Sequence, residues 1–205
     1  MKKDNLVSRK FCFLLYYFLV HLFLYQAVKQ AKNIESKHFI SVRSLIERQV
    51  AHVDTSLFSI IKITVADSVH SDTTYIPREG FRKEAKDFLE IPDLSDPAVA
   101  SRYTEANSFD SLIRKVIITY SPINSKNDEI QKQELLVSPD IIVDSSNKVT
   151  NIIINRIKKN RDGYFGQQML WNIDKSFVIT TTTQKPNERE KVIITKVIWN
   201  DGTLQ

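Results

Sequence analysis

Cysteine is nearly absent from this chain: Cys12 is the only one, so no disulfide can close within it and no thiolate cage can hold a metal. Stability has to come from a packed core. Glycine is scarce as well, with Gly80, Gly163, Gly166 and Gly202 the four present. That removes the glycine-rich phosphate cradle and the nucleophile elbow from consideration. The four histidines, His21, His38, His52 and His70, are scattered without ligand spacing. Carboxylate pairs such as Glu84 with Asp87 and Asp93 with Asp96 carry the spacing of any solvated helix or turn. The sequence therefore offers no catalytic residue, no metal ligand and no cofactor site, and it reads against an enzyme.

A concentrated charge of one sign is missing too. Lysine and arginine number 29 against 24 acidic residues, a net charge of +5, and the two signs are interspersed. Nucleic-acid binding needs a basic face. The densest basic group is Arg156, Lys158, Lys159, Asn160 and Arg161, and it falls where a strand runs into a turn, so it reads as a solvated hairpin end rather than a phosphate patch. No nucleic-acid partner is expected.

What is present begins with an uncharged run, FCFLLYYFLVHLFLYQAV, from Phe11 to Val28. As a helix it would extend about 27 Å, enough for the hydrocarbon core of a bilayer. Lys2, Lys3, Arg9 and Lys10 precede it, as in a signal peptide or a signal anchor. Cleavage suits the sequence less well, because Tyr25 stands two before Ala27 and Lys29 two before Ala31 where small residues belong. Residues 1–30 are thus expected to be a signal anchor or signal peptide, 31–40 a tether, and 41–205 a single soluble domain. The expected location is the cell envelope. The domain would be anchored in the inner membrane through residues 11–28 and face the periplasm, or would be released into it if the segment is cut.

In the soluble part, Val42, Leu45, Ile46, Val50 and Val53 share one helical face behind Ser41 as N-cap. Leu57–Val65 reads as a strand and Ala66–Thr74 as a polar loop. A second helix is expected from Pro77, with Phe81, Ala85, Phe88 and Leu89 on its buried side and Pro92 ending it. Strand patterns follow at Leu112–Ser121, Ile130–Val137, Lys148–Ile157, Tyr164–Ile173, Ser176–Thr183 and Lys191–Trp199, separated by polar turns. The fold expected is α+β: an N-terminal hydrophobic helix, then two amphipathic helices packed on a curved antiparallel sheet of about six to seven strands. Tyr164, Phe165, Trp171 and Trp199 could line an aromatic binding face, although alternate strand positions must also supply the core.

At FRKEAKDFLEIPDLSDPA, Phe81–Ala98, and in the run of strands from Leu112 to Trp199, the chain resembles a set of small exported proteins of the Bacteroidota. The element D-[IL]-x-x-P-A of that set corresponds to Asp93, Leu94, Pro97 and Ala98. The resemblance implies an exported strand-rich domain and transfers no catalytic residue. Many such proteins are lipoproteins, whereas here the one cysteine stands at the start of the apolar run instead of after it.

Taken together these observations predict a membrane-anchored, extracytoplasmic binding or interaction domain without catalytic activity, with a protein or lipid ligand. Two alternatives are a periplasmic carrier of lipid or lipoprotein segments, with one face of the sheet hollow, and a hydrolase with an unrecognised site. Nothing in the sequence sets an oligomeric state.

Overall fold

The computed structural model describes residues 38–57, 59–66, 70–139, 148–160 and 163–200. The chain divides into two compact units, Met1–Lys37 and His38–Gln205. The expected membrane helix and most of the tether lie outside the described residues. Among those described, no helix is long and apolar enough to cross a membrane.

The second unit is built on one antiparallel sheet. Its strands are β1 (Ile60–Ala66), β2 (His70–Ile76), β3 (Tyr103–Asp110), β4 (Lys115–Pro122), β5 (Ile130–Ser138), β6 (Lys148–Asn160), β7 (Gly163–Asn172), β8 (Ser176–Gln184) and β9 (Lys191–Ile198). They pair in the order β2-β1-β9-β8-β7-β6-β5-β4-β3. From β3 onward the chain is a meander. The β1–β2 hairpin, made first, closes against β9, made last.

This corrects the fold expected from the sequence in two respects. The sheet has nine strands instead of six or seven. HSDTTYI has no apolar alternation and most of β2 therefore reads as loop, and β3, YTEANSFD, gives no strand signal for the same reason. Both are edge strands held, among the described residues, by one neighbour, so their pairing demands few hydrophobic residues.

The second respect concerns the helices, of which one forms as expected and the other breaks into single turns. The first forms as α1, Val42–Thr55, with Ser41 Oγ accepting from Ser44 N and with Val42, Ile46, Val50 and Val53 buried. The second does not form as one element. Pro77 leads into a 3-10 turn, Arg78–Gly80, followed by two single turns, α2 (Phe81–Glu84) and α3 (Lys86–Leu89), broken at Ala85, whose ψ is 2°. A further turn, α4 (Pro97–Ala100), is capped by Asp96, whose side chain accepts from Ala98 N. Two adjoining aromatic anchors explain the broken path. Phe81 and Phe88 both reach Trp171 and Phe177, and the segment bends to seat both rings.

Side chains alternate across a strand, so register assigns the faces. One row on the inner face runs Ile118, Leu135, Ile152, Trp171, Phe177, Val197 across six neighbouring strands. The helices cover this row. Phe81, Phe88, Trp171, Phe177 and Trp199 form one cluster with ring centroids from 5.0 to 6.3 Å apart, largely edge-on or tilted. Phe39 stacks on Tyr120 at 4.5 Å, and Tyr120 Oη accepts from Ile40 N, so the chain joins the domain before Ser41. Among the described residues, the buried apolar core runs from Phe39 to Trp199. The compact unit His38–Gln205 holds that core together with the sheet pairings described.

Candidate binding surfaces

The centre of the inner face is filled, while Asn107 and Phe109 on β3 and Ile193 on β9 stay exposed on that same face. Trp171 and Trp199, two of the four aromatics considered for a binding face, are buried in the ring cluster, while Tyr164 and Phe165 are half-buried at the far end of β7. Tyr164 and Phe165 are adjacent on one strand and so point to opposite faces. The structure therefore does not gather the four into one surface.

Polar groups on the inner side hold elements in place. Gln167 Nε2 donates to Asp87 Oδ2 at 2.8 Å, tying β7 to α3, and Lys62 Nζ meets Glu84 Oε2 at 2.8 Å, tying β1 to α2. Gln49 clasps the β7–β8 turn, donating to Asp174 Oδ1 at 2.9 Å and accepting from Asp174 N at 2.7 Å. The D-L-x-x-P-A element performs similar work. Asp93 Oδ1 accepts from Ser95 N and Oγ, Asp93 Oδ2 accepts from Ser41 Oγ at 2.8 Å, Leu94 is buried, and Asp96 caps α4.

Among the described residues four groups have displaced ionisation. Burial alone would raise the Asp93 carboxyl, yet its bonds from Ser95 and Ser41, with Arg43 nearby, outweigh burial and hold it below the usual range. Burial also acts upward on Glu129, and again the Arg156 and Lys158 partners prevail and lower it. Burial and the Asp128 carboxylate push Tyr103 up to about 12, and burial raises Tyr120.

Arg156 and Lys158, read from sequence as part of a solvated basic end, both turn to Glu129. Arg156 is buried and donates from Nε and Nη2 at 3.0 and 2.9 Å, while Lys158 Nζ stands 3.3 Å from the other oxygen. Arg102 pairs with the buried Asp128 beside them. Structural pairing thus absorbs Arg102, Asp128, Glu129, Arg156 and Lys158, while Arg161 lies outside the described residues. Among the described residues no three His, Cys, Asp or Glu side chains gather as a metal would require.

Three features remain open to a partner. The first is the outer face, where Ile153, Leu170, Val178, Lys196 and Ile63 make one cross-strand row, none of it buried. The second is β2, whose residues His70 to Tyr75 are all exposed and which pairs, among the described residues, with β1 alone. The third is a cavity of about 590 Å³ at the opposite end of the sheet from Arg156, lined by Lys115, Lys148, Asn151, Asn172, Asp174 and Lys175 among others. Sequence reading passed over β2 and the cavity, because an edge strand needs no apolar pattern and the three lysines come from separate strands and turns. No family model, curated protein or solved structure matches the chain.

Proposed function

We propose that this chain is a non-catalytic binding module held at the cell envelope by residues 11–28, and that it takes an extended segment of a protein partner as an added strand on β2. The observation that carries this reading is the state of that edge. Sheet edges are commonly guarded by lysine, proline, a bulge or a covering element. β2 has none of these within it: its register to β1 is continuous from Ile60↔Ile76 to Ala66↔His70, and Asp72 is its single charge apart from the titratable His70. Main-chain groups along such an edge supply affinity for an incoming strand, and side-chain pockets supply selectivity. Here those pockets would be formed by Tyr75, 77% exposed, beside Ile61 and Ile63 on the outer face of β1.

The ring cluster that fills the centre of the inner face favours this reading over a carrier, which would need that centre hollow. The pairing of the displaced acids with structural partners favours it over a hydrolase. Neither alternative has an observation of its own.

The test is site-specific photocrosslinking in cells that express the full chain, with the photoreactive residue at Thr73 or Tyr75 and, as control, at Thr180 in the middle of the sheet. The expected result is a discrete adduct with another protein from the β2 positions only, lost when Thr73→Lys is added. Thr73 is exposed, so that substitution leaves the melting temperature within about 0.5 kcal/mol equivalent of the parent. Adducts only with a second copy of the chain, or none at β2, would refute the proposal.

A further inference from the structure

The turn between β3 and β4 is an unusual hairpin tip. Its residues Ser111–Arg114 include Leu112, 93% exposed, and Ile113, 48% exposed, with Phe109 on the adjoining strand 60% exposed. Hairpin ends are ordinarily polar. This one holds a defined shape, since Asp110 Oδ1 accepts from Leu112 N at 2.9 Å and Ile113 N at 3.3 Å, and Arg114 adopts a left-handed φ of 53°.

Directly behind the tip lies the 590 Å³ cavity, and Lys115, the first residue of β4, lines it. Arg114, Lys148 and Lys175 are exposed and have no acidic partner among the described residues, while Lys115 is bonded to Ser138 Oγ. Among the described residues this end holds two acids, Asp110, which accepts from the tip amides, and Asp174, which accepts from Gln49, so cations are in excess over acids there. Apolar side chains projecting beside an excess of cations complement one kind of surface. A bilayer with anionic lipids presents hydrocarbon beneath a negatively charged layer of phosphates.

The geometry points to a second membrane contact: we propose that the β3–β4 tip inserts Leu112 and Ile113 among the acyl chains of an anionic bilayer while Lys115, Lys148 and Lys175 receive lipid phosphates in the cavity. This is independent of strand addition on β2 and of the anchor.

The experiment is sedimentation of residues 38–205, which lack the apolar run, with vesicles of phosphatidylcholine alone or with added phosphatidylglycerol. Binding is expected only with phosphatidylglycerol, and it should fall sharply in about 1 M salt, where the screening length is about 3 Å. Lys148→Gln with Lys175→Gln should weaken it about thirtyfold, at roughly a factor of five per charge. Leu112→Asp with Ile113→Asp should abolish it. All four positions are exposed, so unchanged circular dichroism and melting would certify that the variants fold. Failure of the parent fragment to bind anionic vesicles, or binding by the variants equal to the parent, would overturn the proposal. Displacement by excess inorganic phosphate at matched ionic strength would overturn the lipid assignment in favour of a soluble anion.

Discussion

Asp93 joins two elements that sequence separates by about fifty residues, and its charge is what makes the joint. Ser41 Oγ accepts from Ser44 N to cap α1 and donates to Asp93 Oδ2, so one hydroxyl serves both helix and loop. Replacing Asp93 by Asn keeps the shape but weakens three charge-assisted bonds, which should cost about 1–2 kcal/mol in denaturant unfolding. The pH dependence follows from the direction of its shift. The folded-state carboxyl titrates below the ordinary value of 3.8, so its contribution is fully present above that value and is lost as pH falls through the folded value. The parent should therefore lose melting temperature more steeply than Asp93→Asn in acid, and parallel curves would contradict this. Gln133 presents the opposite case. It is buried on the inner face beside Tyr120 and Ile154, and neither atom of its amide has a hydrogen-bond partner among the described residues. Gln133→Leu should raise stability by about 1–2 kcal/mol, because an unsatisfied buried amide costs that much. A lower melting temperature would instead mean that the amide is satisfied by a water.

Hairpin chemistry separates the two glycines of β7. Gly163 has φ of 134°, and a Cβ there would lie 2.3 Å from the Gln184 carbonyl oxygen, backbone that cannot step aside. Gly163→Ala should thus destabilise by about 2 kcal/mol or more, combining backbone strain with a clash in the sheet. At Gly166 the obstruction is the Tyr164 hydroxyl, the far end of a side chain that can swing away, so Gly166→Ala should cost clearly less in the same thermal melts. The same contrast between what the backbone imposes and what side chains permit explains how much of the architecture was legible. Strands β5, β6, β8 and β9 were readable because each carries β-branched residues at core-facing positions bounded by polar turns, and β7 because Met169 and Trp171 alternate with less buried neighbours. α1 was readable from its apolar spacing and its serine cap. Edge strands β2 and β3 were not, since their hydrogen bonding comes from a neighbour and imposes little on their side chains. The break at Ala85 was hidden as well, because Phe81, Ala85 and Phe88 keep helical spacing and only packing on Trp171 bends the path. Of the aromatics singled out, Trp171 and Trp199 carried a signal for burial as strongly as for binding, and burial is where they went.

Closure of β1 against β9 makes the sheet a non-local construction, in which the first hairpin of the domain cannot join the rest of the sheet until the last strand is made. Two consequences separate at this scale. If the pairing merely appends β1–β2 to a finished meander, the edge could open by itself. If it is integral to the core, the sheet should unfold as one. The packing favours the second, because Trp199 follows β9 directly and shares the ring cluster with Trp171 on β7 and Phe81 on α2. Val197 and Ile60, paired strands' contributions to the same core, are buried as well. The chain contains two tryptophans, these two, with ring centroids 5.3 Å apart, so each can serve as a reporter once the other is replaced. In Trp171→Phe the remaining emission follows the closing strand, and in Trp199→Phe it follows the middle of the meander. Each replacement removes buried area and should cost on the order of 1–3 kcal/mol, so each variant is judged against its own circular dichroism. Coincident fluorescence and circular dichroism midpoints in both variants are expected of a single cooperative unit. An earlier red shift of Trp199 in the first variant would show instead that β9, with the β1–β2 edge beside it, opens separately. A strand-accepting edge would then form part of a detachable flap and not of the rigid sheet.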